Sequence, residues 1–225
     1  MKNNPLFVMF LLLIFYNCKT ENKTKESVKE TSILEKISNA HGFSSWKNVS
    51  ELKFTFNVDR DTTHFERTWI WNTKNNAITA ISATDTTFYN RKNMDSIARK
   101  TNSGFINDKY WLLAPFNLIW DKNNFTFTHT TGILSPIGAK KMQKLTIVYS
   151  DEGGYTPGDA YDFYFDDNYI IQEWVFRKGN QVEASMTTTW EDYIDKKGLK
   201  IASTFKKSKE NFTLYFTRIK VKSKK

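Results

Sequence analysis

Three histidines, His41, His64 and His129, are the residues of this chain best suited to acid–base or metal chemistry, and they lie far apart. None sits in an H-E-x-x-H helix, and the sequence has no G-x-S-x-G nucleophile elbow and no Walker phosphate loop. His41 follows an expected helix, where a cation would complement the helix dipole. His129 falls in an alternating strand pattern, so both read as structural. Carboxylates are denser: Asp151, Glu152, Asp159, Asp162, Asp166 and Asp167 crowd one segment. Such groups could serve acid–base catalysis or hold Ca²⁺. Their spacing matches no EF-hand loop. Thr156 to Asp159 has the Pro–Gly chemistry of a turn, Asp166 to Asn168 that of a hairpin, and Gly153 with Gly154 makes no phosphate cradle. The expectation is a protein without catalytic residues, metal site or cofactor.

The remaining reactive side chain is Cys18, the single cysteine. It follows Lys2 and an uncharged apolar run from Pro5 to Tyr16, too short for the ~20 residues that span a bilayer and of the length of a signal-peptide core. A polar, charged stretch from Lys19 to Glu30 comes next and reads as a flexible tether. The arrangement resembles a bacterial lipoprotein signal, although Phe15, Tyr16 and Asn17 depart from the usual Leu, small, Gly or Ala pattern. The resemblance implies a signal peptide over 1–17, an acylated Cys18 with its tether over 18–30, and a domain over 31–225. With Cys18 spent on lipid, that domain has no disulfide and no thiolate metal site. It must be held by a core.

Composition supports such a core. The chain is 40% hydrophobic and 16% aromatic, with 18 Phe, 10 Tyr and 7 Trp, a bias that favours strands and excludes a disordered chain. The net charge of +9 raises the question of nucleic acid, but no RNP, zinc-finger or helix-turn-helix pattern is present. An anionic lipid or envelope surface fits an exported protein better. Near the C-terminus, Arg218, Lys220, Lys222 and Lys224 alternate with Ile219, Val221 and Ser223. This is a strand with one charged face: an edge guarded by lysine, or a contact with a membrane surface.

The elements that would position these residues are mostly strands. Ser32 and Glu35 form a capping-box pattern ahead of a short helix to Ala40, which Gly42 would end. Leu52, Phe54, Phe56 and Val58 then alternate with polar residues at period two. Phe65 to Trp71 and Ala77 to Ala83 flank a turn at Asn72 to Asn76, and a short strand follows at Thr86 to Tyr89. Two helices are expected next, Asn93 to Thr101 and Asp108 to Phe116, the second ended by Pro115. Strands resume around Phe127, Ile147, Phe163, Trp174 and Met186 to Trp190, with Leu199 to Lys206 and Phe212 to Val221 last. The whole reads as one α+β domain, a long antiparallel meander with helices inserted near its middle.

At this point the chain resembles the LolA/LolB-type fold. The phrases that carry the likeness are Asn107-Asp108-Lys109-Tyr110-Trp111-Leu112-Leu113-Ala114-Pro115-Phe116, then Gly154-Tyr155-Thr156-Pro157-Gly158-Asp159-Ala160-Tyr161, then Glu173-Trp174-Val175-Phe176. They are similar to stretches of uncharacterised Bacteroidota outer-membrane lipoproteins. The resemblance implies a curved, incompletely closed antiparallel sheet, a half-barrel wrapped around a few helices. It also implies a cavity for a lipid, a lipoprotein acyl chain or another apolar ligand, bound by a monomer in the cell envelope. Trp69, Trp71, Trp111, Phe116, Trp120 and Trp174 are the expected lining. The alternative is a structural or interaction lipoprotein whose cavity is filled by its own side chains.

Overall fold

The computed structural model describes residues 31–224, so Cys18, the signal segment and the tether lie outside the described residues. Helix α1 (Ile33–Ala40) begins at a complete capping box: the Ser32 hydroxyl accepts from the Glu35 N–H, and the Glu35 carboxylate accepts from the Ser32 N–H. Gly42 leaves the helix at φ 88°, and a Cβ there would come within 1.9 Å of the Gly198 carbonyl oxygen. Only glycine meets both demands. A 3₁₀ segment, Phe43–Asn48, then leads into the first strand.

Among the described residues thirteen strands follow, and every pairing between them is antiparallel. They are β1 (Val49–Arg60), β2 (Thr63–Asn72), β3 (Ala77–Ile81), β4 (Thr86–Asn90), β5 (Phe125–Leu134), β6 (Lys141–Tyr149), β7 (Ala160–Phe165), β8 (Ile171–Arg177), β9 (Met186–Thr189), β10 (Ile194–Lys196), β11 (Leu199–Ile201), β12 (Thr204–Lys206) and β13 (Phe212–Ser223). The larger sheet has the order β12-β13-β1-β2-β3-β4 and the smaller β5-β6-β7-β8-β9; β10 and β11 form a separate hairpin. A bridge between Glu191 and Thr204 joins the two sheets beside β9 and β12. The opposite margins, β4 and β5, are not paired to each other. The result is one curved antiparallel sheet, closed along one seam and open along the other, wrapped around α1 and α2 (Ser96–Trp120).

Period-two alternation explains which residues fill the inside. Leu52, Phe54 and Phe56 of β1 share a face with Trp69 and Trp71 of β2 and Ile78 of β3, all buried. Leu145, Ile147, Phe163 and Trp174 do the same in the smaller sheet. Phe105, Trp111, Leu112 and Phe116 of α2 are buried in the same core.

Three expectations change. The two mid-chain helices are one, α2, with a kink at Leu113 (φ −128°, ψ 24°) just before Pro115. Proline removes one hydrogen bond and crowds the preceding turn, but Ala114 to Leu118 are buried, and that burial carries the helix on to Trp120. The Ser38 hydroxyl donates to the Pro115 carbonyl at 2.5 Å and ties α1 to the kink. The strand expected over Leu199 to Lys206 is broken at Ala202 and Ser203, where the chain passes from the hairpin to the larger sheet. Finally, β13 is not a simple edge. It lies between β12 and β1 over Thr213 to Tyr215, and from Thr217 onward it pairs with β1 alone among the described strands. Arg218, Lys220 and Lys222 all lie in that second half, so the lysine-guarded edge expected there is kept.

Candidate binding site

Strand β2 turns Phe65, Arg67, Trp69 and Trp71 to the concave side, so one charged side chain interrupts an aromatic face. Arg67 is matched on α2 by Asp108, whose side chain is fully buried. The guanidinium donates from Nε to Asp108 Oδ2 at 2.5 Å and from Nη2 to Oδ1 at 2.7 Å. Trp69 Nε1 donates to Oδ2 at 2.7 Å, and Asn107 Nδ2 donates to Oδ1 at 3.0 Å. Burial pushes the Asp108 carboxyl above its usual range, against the opposing pull of Arg67, Asn107 and Trp69. The guanidinium also lies 5.3–5.6 Å from the ring centres of Phe65, Trp69 and Phe56. Gly104 lets the helix come this close, since a Cβ there would stand 2.7 Å from Arg67 Nη1.

Above this ion pair the concave face opens in a pocket of about 320 Å³. Phe65, Trp69, Ala80 and Ile81 supply apolar wall, Arg67 and Lys100 the positive charge, and Asp85 sits at the margin. Phe65 is 48% exposed, unusual for so large an apolar ring on an inward face. The volume is at the lower end for small-ligand sites, and Ser82, Thr87 and Thr101 add neutral polar groups to the lining.

Of the six residues expected to line a ligand space, only Trp69 borders this pocket. The others meet protein rings in two clusters. Trp71, Phe116 and Trp120 surround Trp46, with centroids at 5.3, 5.8 and 5.2 Å. Trp111 lies 4.4 Å from Trp174, which also touches Trp190 and Phe163. Phe65, Arg67 and Lys100, which border the pocket, and Asp108, which holds Arg67, are not among those six. A charge placed among the aromatic residues of β2 was the visible signal for Arg67. Nothing local marked Asp108 as its partner.

Most of the residues weighed for chemistry have other partners. Asp162 accepts from the Thr146 hydroxyl at 2.6 Å and pairs with the Arg177 guanidinium. Asp159 accepts from the Gly179 N–H, and Asp166 from the N–H groups of Asn168 and Ile170. The turn at Thr156 to Asp159 is present, with Gly158 at φ 79°. His129 contacts Gln143 and stacks on Phe165. His41 is not a dipole-complementing cation: it is buried, contacts the Ile37 carbonyl at 2.8 Å and Tyr193 at 3.3 Å, and burial pulls its pKa down to about 4. No group of three or more His, Cys, Asp or Glu that could hold a metal ion occurs among the described residues. No helix among them is long and apolar enough to cross a membrane.

An incompletely closed antiparallel sheet around helices, with its concave face turned to them, is the architecture that the resemblance to the LolA/LolB type implies. No family model matches the sequence, and no curated protein matches it. Among solved structures, the chain is similar to a LolA superfamily protein from Nitrosomonas europaea, at 10% identity over 86% of this chain and 93% of that one, with a TM-score of 0.49. A domain described as an outer membrane lipoprotein-sorting protein from Vibrio parahaemolyticus gives 11% identity over 84% and 92%, with a TM-score of 0.48. A DUF1329 family protein from Desulfovibrio piger gives 7% over 85% and 94%, with a TM-score of 0.46. The strand order itself, rather than these distant likenesses, defines the fold.

Proposed function

We propose that this chain is a cell-envelope lipoprotein, held to a membrane, the outer membrane by preference, through acyl chains on Cys18. Its domain takes a lipid, an acyl chain or another apolar ligand between sheet and helices, without covalent chemistry. The observation that supports this reading is the pocket on the concave face: an apolar wall of Phe65, Trp69, Ala80 and Ile81 beside the cations Arg67 and Lys100. That pairing of surfaces suits an apolar chain with an anionic end. The test is native mass spectrometry of the full chain purified from an envelope-exporting host. A co-purified lipid is expected, and Ala80→Trp, which fills the pocket from β3, should displace it. A bare mass with no uptake of added fatty acid or lipopeptide removes the reading, and the mass of the N-terminal peptide reports acylation of Cys18 separately.

A second reading rests on a different observation. Trp71, Trp111, Phe116 and Trp174 are buried against other aromatic side chains. A core filled in this way suits an interaction lipoprotein whose partner is another envelope protein. Absence of any bound apolar molecule in the same experiment would favour it.

A further inference from the structure

Strand register gathers the ends of five strands at one end of the larger sheet. Val49 of β1 lies opposite Ser223 of β13, Asn72 of β2 opposite Glu51 and Ala77, and Ala77 of β3 opposite Asn90 of β4. The connecting segments are tied together there. The Lys224 N–H donates to the Asn48 carbonyl at 2.7 Å, the Thr73 hydroxyl to the Val49 carbonyl at 2.7 Å, and the Arg91 N–H to the Asn76 carbonyl at 3.0 Å.

This end is basic. Lys47, Lys74, Lys92, Lys222 and Lys224 are exposed on it, and Arg91 is half-buried. Its acids are already engaged: Glu51 pairs with Lys222 at 2.8 Å, and Asp95 caps α2 through the Ala98 N–H. Lys47, Lys74, Arg91, Lys92 and Lys224 form no ion pair among the described residues. Trp46, next to Lys47, and Trp120 meet at 5.2 Å beside this rim, both partly exposed.

We propose that this rim docks on an anionic lipid bilayer, with Lys47, Lys74, Lys92 and Lys224 at the headgroups and Trp46 and Trp120 at the interface. The arrangement favours a bilayer because the cations stand on separate connecting segments spread along one edge of the sheet. A laterally continuous negative plane satisfies all of them at once, and tryptophan belongs at the boundary between headgroups and acyl chains. The proposal also sets an orientation. Phe65, at the pocket, and Asn72, at the rim, stand at opposite ends of β2, roughly 23 Å apart at the rise of a strand. A rim on the bilayer therefore turns the pocket toward the aqueous side. This docking does not depend on the ligand reading.

The experiment is hydrogen–deuterium exchange on the full chain bound to vesicles of phosphatidylcholine, with and without phosphatidylglycerol. The N-terminal segment can hold the chain on either membrane, so the comparison isolates the rim. Amides of residues 73–76 and 91–93 should exchange about tenfold more slowly on the anionic vesicles than on the neutral ones. Raising the salt to ~0.5 M should erase the difference, and residues 82–85, beside the pocket, should not change. Lys47→Glu/Lys74→Glu/Lys92→Glu should abolish the protection, and the milder Lys→Gln triple should reduce it if the reversal disturbs folding. Lys140→Glu/Lys141→Glu/Lys178→Glu makes the same charge change elsewhere and should leave it intact. Equal protection on both membranes, protection at 82–85 instead, or equal loss in the two charge-reversal variants overturns the proposal.

Discussion

Arg67 and Asp108, on β2 and α2, meet in a two-pronged ion pair in which the aspartate side chain is fully buried and the arginine side chain is 28% exposed. The pair fixes the helix against the strand and places a charge at the floor of the pocket. Removing one partner leaves the other desolvated without compensation. Asp108→Ala and Arg67→Met should each lower unfolding free energy by ~3–5 kcal/mol, and the double variant Arg67→Met/Asp108→Leu should recover most of the loss. Urea denaturation of the four proteins measures the coupling; additive losses would show that the pair does not act as a unit.

Gly104 gives a prediction whose sign depends on Arg67. In an ordinary helix, Gly→Ala gains about 1 kcal/mol. Here the new Cβ would stand 2.7 Å from Arg67 Nη1, on a side chain already held by Asp108. Gly104→Ala should therefore lower the melting temperature of the otherwise unaltered protein, and raise it when combined with Arg67→Met. A gain in both backgrounds would mean that Arg67 yields freely.

The stability of the fold at acid pH should follow His41. Burial lowers its pKa from 6.5 to about 4, so the unfolded chain binds the proton first as pH falls. Stability is then lost progressively below pH 6.5 and down through pH 4, by about 3 kcal/mol from this group. His41→Gln should start less stable at pH 7 yet lose less between pH 6.5 and 4.5. Urea midpoints across that range decide it.

At alkaline pH the sign is reversed and the groups are tyrosines. Burial raises the phenols of Tyr110, Tyr149, Tyr155, Tyr161 and Tyr193 above their ordinary range. Their contribution is present below pH 10 and lost above it, because the unfolded chain releases protons that the folded chain retains. Absorbance at 295 nm should show these phenols ionising together with unfolding, as one cooperative step above pH 10. Gradual ionisation while near-UV dichroism persists would contradict their burial.

The parts of this protein that the sequence determined by itself are those governed by neighbours in the chain. The capping box of Ser32 and Glu35, the left-handed Gly42, the turn at Thr156 to Asp159 and the period-two strands around Leu52 and Phe163 all follow from backbone sterics and hydrogen bonds within a few residues. Even the half-barrel was legible, through motifs spread along the chain. Tertiary structure decided what depends on distance through space rather than along the chain. Burial of Ala114 to Leu118 carried α2 past a proline that would end an isolated helix. Enclosure by the fold, not position at a helix end, set the charge of His41. Of six candidate rings, packing left only Trp69 at the pocket, and it supplied Arg67 with a partner 41 residues away. Local rules reach a few ångströms along the backbone. Desolvation and ion pairing act between surfaces that meet only when the sheet has closed around its helices.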